Sequence, residues 1–295
     1  MTIPDSLIVT RLRAAGCVFA EDEARLLISA ARTPAELDAM VGQRAAGRPL
    51  EQVIGWAEFC GLRITVAPGV FVPRRRTEFL VRQAALLLRG DDPALSRGEP
   101  IPPDPPGSSR ARGAPAPRSP WPPREATGPG AVIVDLCCGA GAIGAALAAA
   151  VDRSEVHAAD IDPAAIRCAR RNLPGGHVYQ GDLYAPLPAR LRGRIAVLTA
   201  NVPYVPSEQI GFLPPEARAH EPRAALDGGA DGLDVLRRVA AAAGGWLAPG
   251  GYLLSEISER QAPLAEAALA AGGLAARVVS SADLDATVVI GRRLA

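Results

Sequence analysis

In the second half of the chain, apolar residues fall into short runs, and the stretches between these runs repeat a helical period. The runs at 132–136, 155–159, 177–180, 195–200 and 252–257 are bounded by turn-forming residues and read as strands. Between and after them, the stretches at 143–151, 163–172, 233–245 and 260–271 place apolar residues on one helical face. Alternation of this kind predicts an α/β fold, a parallel sheet with helices on both faces. The last two runs, 275–279 and 286–291, are separated only by a short polar stretch. A parallel return needs a crossover of about a dozen residues or more, so these two strands are predicted to be antiparallel.

The first 55 residues read as short helices. Thr33-Pro34-Ala35-Glu36 supplies a capping hydroxyl, a proline in the first helical position and a glutamate three residues after the cap. Gly16 and Gly47 each follow an apolar-periodic stretch and mark helix ends. Runs at 62–66 and 70–72 flank Ala67-Pro68-Gly69 and predict a hairpin, followed by a helix from about 77 to 89. From 90 to 130 the composition shifts to Pro, Gly, Ser, Arg and Ala, with little to bury, which predicts a mobile insert. Three parts follow: a helical domain over 1–55, a connecting hairpin over 56–76, and the α/β domain over 77–295 carrying the insert.

Charge narrows the partners. The chain has 32 Lys+Arg against 31 Asp+Glu, so no whole-molecule field favours nucleic acid or an anionic membrane. No uninterrupted apolar run reaches about 18 residues, and the start lacks a basic head followed by an apolar core, which predicts a cytoplasmic protein. Cys17, Cys60, Cys137, Cys138 and Cys168 form no CxxC pair, and their odd number argues against a complete disulfide framework. His157, His177 and His220 lack metal-ligand spacing and are read as surface or strand-end residues; no metal is predicted.

In an open parallel sheet, ligands bind beyond the carboxyl ends of the strands. The first strand ends in Asp135-Leu136-Cys137-Cys138-Gly139-Ala140-Gly141-Ala142-Ile143-Gly144, a glycine loop opening a helix. Gly139 to Gly144 fits GxGxxG, which alone suits a dinucleotide as well as S-adenosylmethionine. Asp160, ending the next strand, is placed to take a ribose hydroxyl pair in either case, although it could also serve as a helix cap, a role for which Asp162 is better placed. Asp182 ends the third strand and can accept from an adenine amino group, with Leu183 against the ring. Asp135, ahead of the glycines, tips the choice toward S-adenosylmethionine.

The fourth strand ends in Asn201-Val202-Pro203-Tyr204, then Val205-Pro206. Here the chain resembles the release-factor glutamine methyltransferases, within the wider group of Asn-Pro-Pro-Tyr amino-methyltransferases. The likeness takes in Glu51-Gln52-Val53-Ile54-Gly55 with Glu58-Phe59, and Phe71-Val72-Pro73-Arg74 with Thr77-Glu78. It continues through the glycine loop, Asp160, Asp182, Glu221-Pro222-Arg223-Ala224-Ala225-Leu226, Gly228-Gly229, Asp231-Gly232, Pro249-Gly250-Gly251, and Glu256 with Gln261. It implies a class I, Rossmann-like, seven-stranded methyltransferase domain, S-adenosylmethionine, and an amino-terminal helical domain that helps recognise a protein substrate. Carried over by position, it implies cofactor contacts at Asp135, Cys137, Gly139, Gly141, Asp160, Asp182, Leu183, Asn201 and Thr77. It implies catalytic roles for Asn201, Val202, Pro203 and Tyr204.

The chemistry suits those residue types. An amide nitrogen is a poor nucleophile because its lone pair is delocalised into the carbonyl. Methyl transfer needs that nitrogen in line with the methyl carbon and its N–H groups held by acceptors. Asn201 offers its side-chain oxygen, and the Tyr204 ring can lie on the flat amide. Two positions depart from the family pattern: Val202 stands where the first proline is usual, and Asp283-Leu284-Asp285-Ala286-Thr287 replaces a late Gly and Arg pattern. These mark a branch with Asn-Val-Pro-Tyr, whose target can be another protein. Three alternatives stay open: a nucleobase amino group as acceptor, a nicotinamide oxidoreductase resting on GxGxxG alone, and a cofactor-binding relative without catalysis. For the 221–232 stretch, a role toward substrate and a mere turn-rich connection weigh equally.

Overall fold

The computed structural model describes residues 5–90 and 130–294; the predicted insert over 90–130 lies outside the described residues except for its two end positions. Four helices open the chain: α1 (Asp5–Ala14), α2 (Ala20–Ala30), α3 (Pro34–Ala45) and the short α4 (Leu50–Ile54). Thr33 caps α3, accepting from the Glu36 N–H at 3.1 Å, while Glu36 reaches back to the Arg32 N–H at 2.8 Å. Gly16 and Gly47 follow α1 and α3 as read from the sequence. Ile8, Leu12, Leu27 and Val41 are fully buried in a cluster of their own.

The hairpin differs from expectation. Its strands are β1 (Trp56–Phe59) and β2 (Leu62–Thr65), joined across Cys60 and Gly61, both at positive φ (50° and 73°). Such a two-residue turn matches strand twist, and a cysteine in it gives no sequence signal. Ala67-Pro68-Gly69 does turn, with the Val70 N–H on the Ala67 carbonyl at 3.1 Å, but 70–72 forms no strand. Side chains take its backbone instead: Gln52 donates to the Val70 carbonyl at 3.0 Å, and Glu221 accepts from the Val72 N–H at 3.2 Å.

After α5 (Glu78–Leu88) the alternation is β3 (Val132–Leu136), α6 (Ala142–Ala150), β4 (Glu155–Asp160), α7 (Pro163–Asn172), β5 (His177–Gln180) and β6 (Ile195–Ala200). Next come α8 (Pro215–His220), α9 (Asp234–Trp246), β7 (Leu247–Ile257), α10 (Ala262–Ala271), β8 (Leu274–Ser281) and β9 (Ala286–Arg293). The short α8 carries no apolar period and was not anticipated. β7 starts before its expected position because pairing to β6 begins at Ile195↔Leu247 and resumes after a register shift, spanning Pro249-Gly250-Gly251.

The sheet has seven strands in the order β5-β4-β3-β6-β7-β9-β8. The first five are parallel, and β9 lies antiparallel to both its neighbours, so the last two strands form the predicted hairpin. Strand side chains alternate between two cores. Val132, Val134 and Leu136 pack with α9 and α10, whereas Ile133 packs with α5, α6 and α7. The chain leaves β3 for β4 on one side and returns to β6 on the other, a switch point that opens a crevice at the strands' carboxyl ends.

His157 corrects the reading of the histidines. It is fully buried within β4, with Nδ1 3.0 Å from the Tyr179 hydroxyl, Nε2 2.9 Å from Glu155, and its ring stacked on His177 at 4.7 Å. β4 and β5 pair with His157 opposite His177, so ligand-type atoms of Glu155, His157 and His177 gather within 4.8 Å, a grouping linear spacing does not reveal. Burial pushes the His157 pKa down, consistent with a neutral ring engaged at both nitrogens. Among the described residues no helix is long and apolar enough to cross a membrane.

Candidate active site

A cavity of about 760 Å³ lies at the carboxyl ends of β3, β4 and β6. On one side the Gly139 N–H donates to Asp160 Oδ2 at 2.8 Å, and the Asp162 N–H donates to Oδ1 at 2.9 Å. Each oxygen keeps a lone pair for a hydroxyl, so Asp160 is aimed rather than consumed. Burial pushes its carboxyl up from the usual range. Asp162 is the helix cap, accepting from the Ala164 N–H at 2.7 Å, which leaves Asp160 for a ligand. Leu183 and Ile161 both line the cavity, and Ile161 is 62% exposed. Ile161 was missed in the sequence; an apolar residue at a helix entrance, between two aspartates, is its only signal.

Asp182 lines the same wall and accepts from Arg238 at 2.5 Å, leaving its other oxygen for an amino group. Cys137 lines the cavity as well; burial, together with Asp160 and Asp135, pushes its thiol up, so it is a neutral wall atom. Asp135 and Gly141 do not line the cavity. Asp135 follows Ile133 to the α6 side and is fully buried, accepting from the Gly144 N–H at 3.1 Å and the Thr199 hydroxyl at 2.9 Å. It holds the glycine loop from beneath, and burial pushes its carboxyl up to about 7. Gly141 serves packing: a Cβ there would sit 3.0 Å from the Ala169 Cα of α7.

The other side is built on Asn201, which follows β6. Its Nδ2 donates to Thr77 Oγ1 at 3.5 Å, and the Thr77 hydroxyl donates to Glu256 Oε2 at 2.6 Å. Glu256, 2% exposed on β7, also accepts from the Tyr204 hydroxyl at 2.8 Å and from Arg76 Nε at 3.0 Å. Arg76 donates in turn to the Tyr204 oxygen at 2.6 Å. Burial, then the Glu256 charge, pushes the Tyr204 phenol up, so it stays protonated and donating. Asn201 Oδ1 is buried and has no hydrogen-bond partner among the described residues. Thr77, carried over from the resemblance as a cofactor contact, lines the cavity and also links Asn201 to Glu256.

Val202 and Pro203 are buried and line the cavity with Tyr204. Behind them the 221–232 stretch works as a brace. Gln261 donates to the Tyr204 carbonyl at 2.8 Å and to the Asp231 carbonyl at 2.9 Å. The Gly228 N–H donates to the Val205 carbonyl at 2.9 Å, and the Val205 N–H to the Leu226 carbonyl at 3.0 Å. Glu221 accepts from Arg74 on both oxygens at 2.6 Å, pinning the stretch to the segment after the hairpin. Pro222, Ala224 and Leu226 reach the cavity, so the stretch both braces the loop and forms wall. Arg76 was not singled out in the sequence, and Glu256 only through the resemblance; a lone carboxylate inside the apolar run Leu253-Leu254-Ser255-Glu256-Ile257 is the signal that flags it.

The cavity fits the implied cofactor on its own evidence. Asp160 keeps acceptors for a ribose, Ile161 and Leu183 offer apolar faces for a base, and Asn201 Oδ1 is an unpaired acceptor at the far end. The family model of the methyltransferase small domain matches residues 125–205. A release factor glutamine methyltransferase of Streptomyces coelicolor is 36% identical over 224 residues, 75% of this chain and 67% of its own length. One of Geobacter sulfurreducens is 35% identical over 236 residues, covering 78% of this chain and 68% of its own. A 4-amino-L-phenylalanine/4-methylamino-L-phenylalanine methyltransferase of Streptomyces pristinaespiralis is 35% identical over 220 residues, 73% of this chain and 63% of its own. Among solved structures, a methyltransferase from Pyrococcus furiosus aligns with a TM-score of 0.43 at 16% identity, over 57% of this chain and 77% of its own. By identity and span, the chain belongs to the release factor glutamine methyltransferase family and is an S-adenosylmethionine-dependent methyltransferase.

Proposed function

We propose that this protein methylates the side-chain amide nitrogen of a glutamine in a peptide chain release factor, working in the cytosol. The observation that carries the reading is Asn201 Oδ1, a buried acceptor without a partner at the cavity wall. When bound along Asp160 and Leu183, S-adenosylmethionine supplies a methyl group on a positively charged sulfur, which leaves as a neutral thioether. Asn201 Oδ1 accepts an N–H of the incoming amide and turns the nitrogen lone pair toward the cofactor side. The Tyr204 ring, fixed by Glu256 and Arg76, sets the plane in which the amide lies. As charge grows on nitrogen, the N–H bond to Asn201 strengthens, which is where a preorganised acceptor contributes most. The amide that has gained a methyl sheds one proton to solvent, so no strong base is required of the chain.

A second substrate class, a free aromatic amine, is favoured by the Streptomyces pristinaespiralis relative, whose name gives 4-amino-L-phenylalanine as its substrate. The same Asn201 and Tyr204 would hold an aniline nitrogen, which is also planar and carries N–H donors. Incubation with isotopically labelled S-adenosylmethionine and either release factors or 4-amino-L-phenylalanine, followed by mass spectrometry, separates the two. Label on a release-factor glutamine is the expected outcome; label on the free amine alone overturns the protein-substrate reading.

A further inference from the structure

The site carries a positioning device deeper than the acceptor clamp. We propose that Glu256 sets which end of the Asn201 side chain faces the acceptor, acting through the hydroxyl direction of Thr77. The inference rests on the reading of Asn201 as the acceptor clamp and names the residue that orients it.

A side-chain amide can point its oxygen or its nitrogen either way, and only its neighbours decide. Here the neighbour is Thr77, one hydroxyl with a single proton. Glu256 is a buried carboxylate paired with Arg76 and therefore only accepts, so the Thr77 proton goes to Oε2 at 2.6 Å. The Thr77 oxygen is then left as an acceptor, and the group it can take from Asn201 is Nδ2, at 3.5 Å. That turns Oδ1, the acceptor, away from Thr77, and Oδ1 is the atom without a partner. The direction of three groups in series follows from one charge.

Replacing that charge by its isosteric amide reverses the series. Oε1 of Glu256 meets two donors, Tyr204 and Arg76, whereas Oε2 meets one, Thr77. In Glu256→Gln the introduced oxygen therefore stays with Tyr204 and Arg76, and the introduced NH2 faces Thr77. Thr77 now accepts there and donates its proton to Asn201, whose oxygen must swing toward it. The acceptor amide then meets N–H groups, which repel its own. Asp160 is held by the Gly139 and Asp162 N–H groups, outside this series, so the ribose end of the cofactor site keeps its partners.

The test compares Glu256→Gln, Thr77→Val and Thr77→Ser with the unaltered chain, using a substrate on which it is active. Glu256→Gln is expected to lower kcat by about tenfold to a hundredfold, less than the roughly 10²–10³ that outright loss of one preorganised contact costs, because Asn201 is turned and not removed. S-adenosylhomocysteine affinity by calorimetry should stay within about twofold. Thr77→Val, which removes the hydroxyl at nearly constant volume, should lower kcat similarly, and Thr77→Ser, which keeps the hydroxyl, should recover most of what Thr77→Val loses. In nitrogen-15 NMR, the cross-relaxation between the Asn201 side-chain NH2 and the Thr77 methyl should be present in the unaltered chain and lost in Glu256→Gln. Thr77→Val with undiminished kcat overturns the inference, and does so even if Glu256→Gln does not fold. So does a Glu256→Gln that loses activity with the Asn201 NH2 still beside Thr77. If Asn201→Ala is itself fully active, the clamp reading fails; if Asn201→Ala is inactive while Thr77→Val is active, only the relay fails.

Discussion

Gly232→Ala tests whether the 221–232 stretch braces the acceptor loop, and Gly273→Ala supplies its control. Both glycines sit in the left-handed region, at φ of 80° and 79°. An L side chain in that region costs about 1–2 kcal/mol, partly offset by about 0.4–1 kcal/mol from a stiffer unfolded chain. Their surroundings differ. A Cβ on Gly273 meets nothing within 4 Å, whereas one on Gly232 would lie 2.2 Å from the Tyr204 carbonyl oxygen and 2.4 Å from Gln261 Nε2. Both atoms must move, which breaks the Gln261 bonds to the Tyr204 and Asp231 carbonyls. At about 1 kcal/mol for each of two bonds, Gly232→Ala should be less stable than Gly273→Ala by about 2 kcal/mol or somewhat more in urea unfolding. A displaced Tyr204 should also lower kcat by about a hundredfold, the cost of a misplacement near 1 Å, with cofactor affinity unchanged. Equal stability losses in the two variants, with full activity in Gly232→Ala, would refute the brace.

Asp160→Ala should weaken S-adenosylhomocysteine binding by about 1.5–3 kcal/mol, read by calorimetry, since a ribose hydroxyl pair loses a charged acceptor. Asn201→Ala should lower turnover by about 10²–10³ with cofactor affinity nearly unchanged, measured by methyl transfer to a verified substrate. Asp135 has its carboxyl raised to about 7 in the folded chain from an ordinary value of 3.8, so its contribution is full below about pH 4 and is lost as pH rises toward 7. Unfolding curves of Asp135→Asn and the unaltered chain should therefore diverge in favour of the variant across that window, by up to about 4 kcal/mol for roughly three pH units; a constant gap rules it out. Val202→Pro should leave activity within about threefold, far less than the tenfold that a 1.4 kcal/mol change in barrier produces, and a larger loss would show that the loop needs valine's freedom.

What the sequence disclosed is what local chemistry decides. Strands β3 to β6 and helix α7 lie where periodicity and caps placed them, because a buried strand and a capped helix each write their own signal. The hairpin was misplaced because Ala67-Pro68-Gly69 has the composition of a turn and Cys60-Gly61 does not, although Cys60 takes positive φ. The Glu155–His157–His177 grouping was invisible because parallel pairing, not spacing, puts His157 opposite His177. Asp135 was assigned to the ligand because it stands at a strand end, yet alternation along β3 turns it beneath α6. The link from Asn201 through Thr77 to Glu256 joins residues 124 and 179 positions apart, and no local pattern records it.

The halves of the site proposed here for the cofactor and for the acceptor differ in how they are held, and this difference accounts for how Val202 can replace a proline. The cofactor half depends on backbone next to the strands, where Gly139 and Asp162 N–H groups fix Asp160 directly. The acceptor half is fixed by groups from far along the chain. Gln261 holds the Tyr204 carbonyl, Val205 is held at both its N–H and its carbonyl, and Glu256 anchors the Tyr204 hydroxyl. A proline at 202 would restrict the residue before it, but Pro203 already biases Val202 itself toward the extended region. Asn201 is further held by Thr77, and the Val202 side chain is buried at 2% exposure. With the loop restrained from the front by Thr77 and Glu256 and from behind by Gln261 and Gly228, the added rigidity of a first proline is redundant, and position 202 is free to vary in shape against the acceptor.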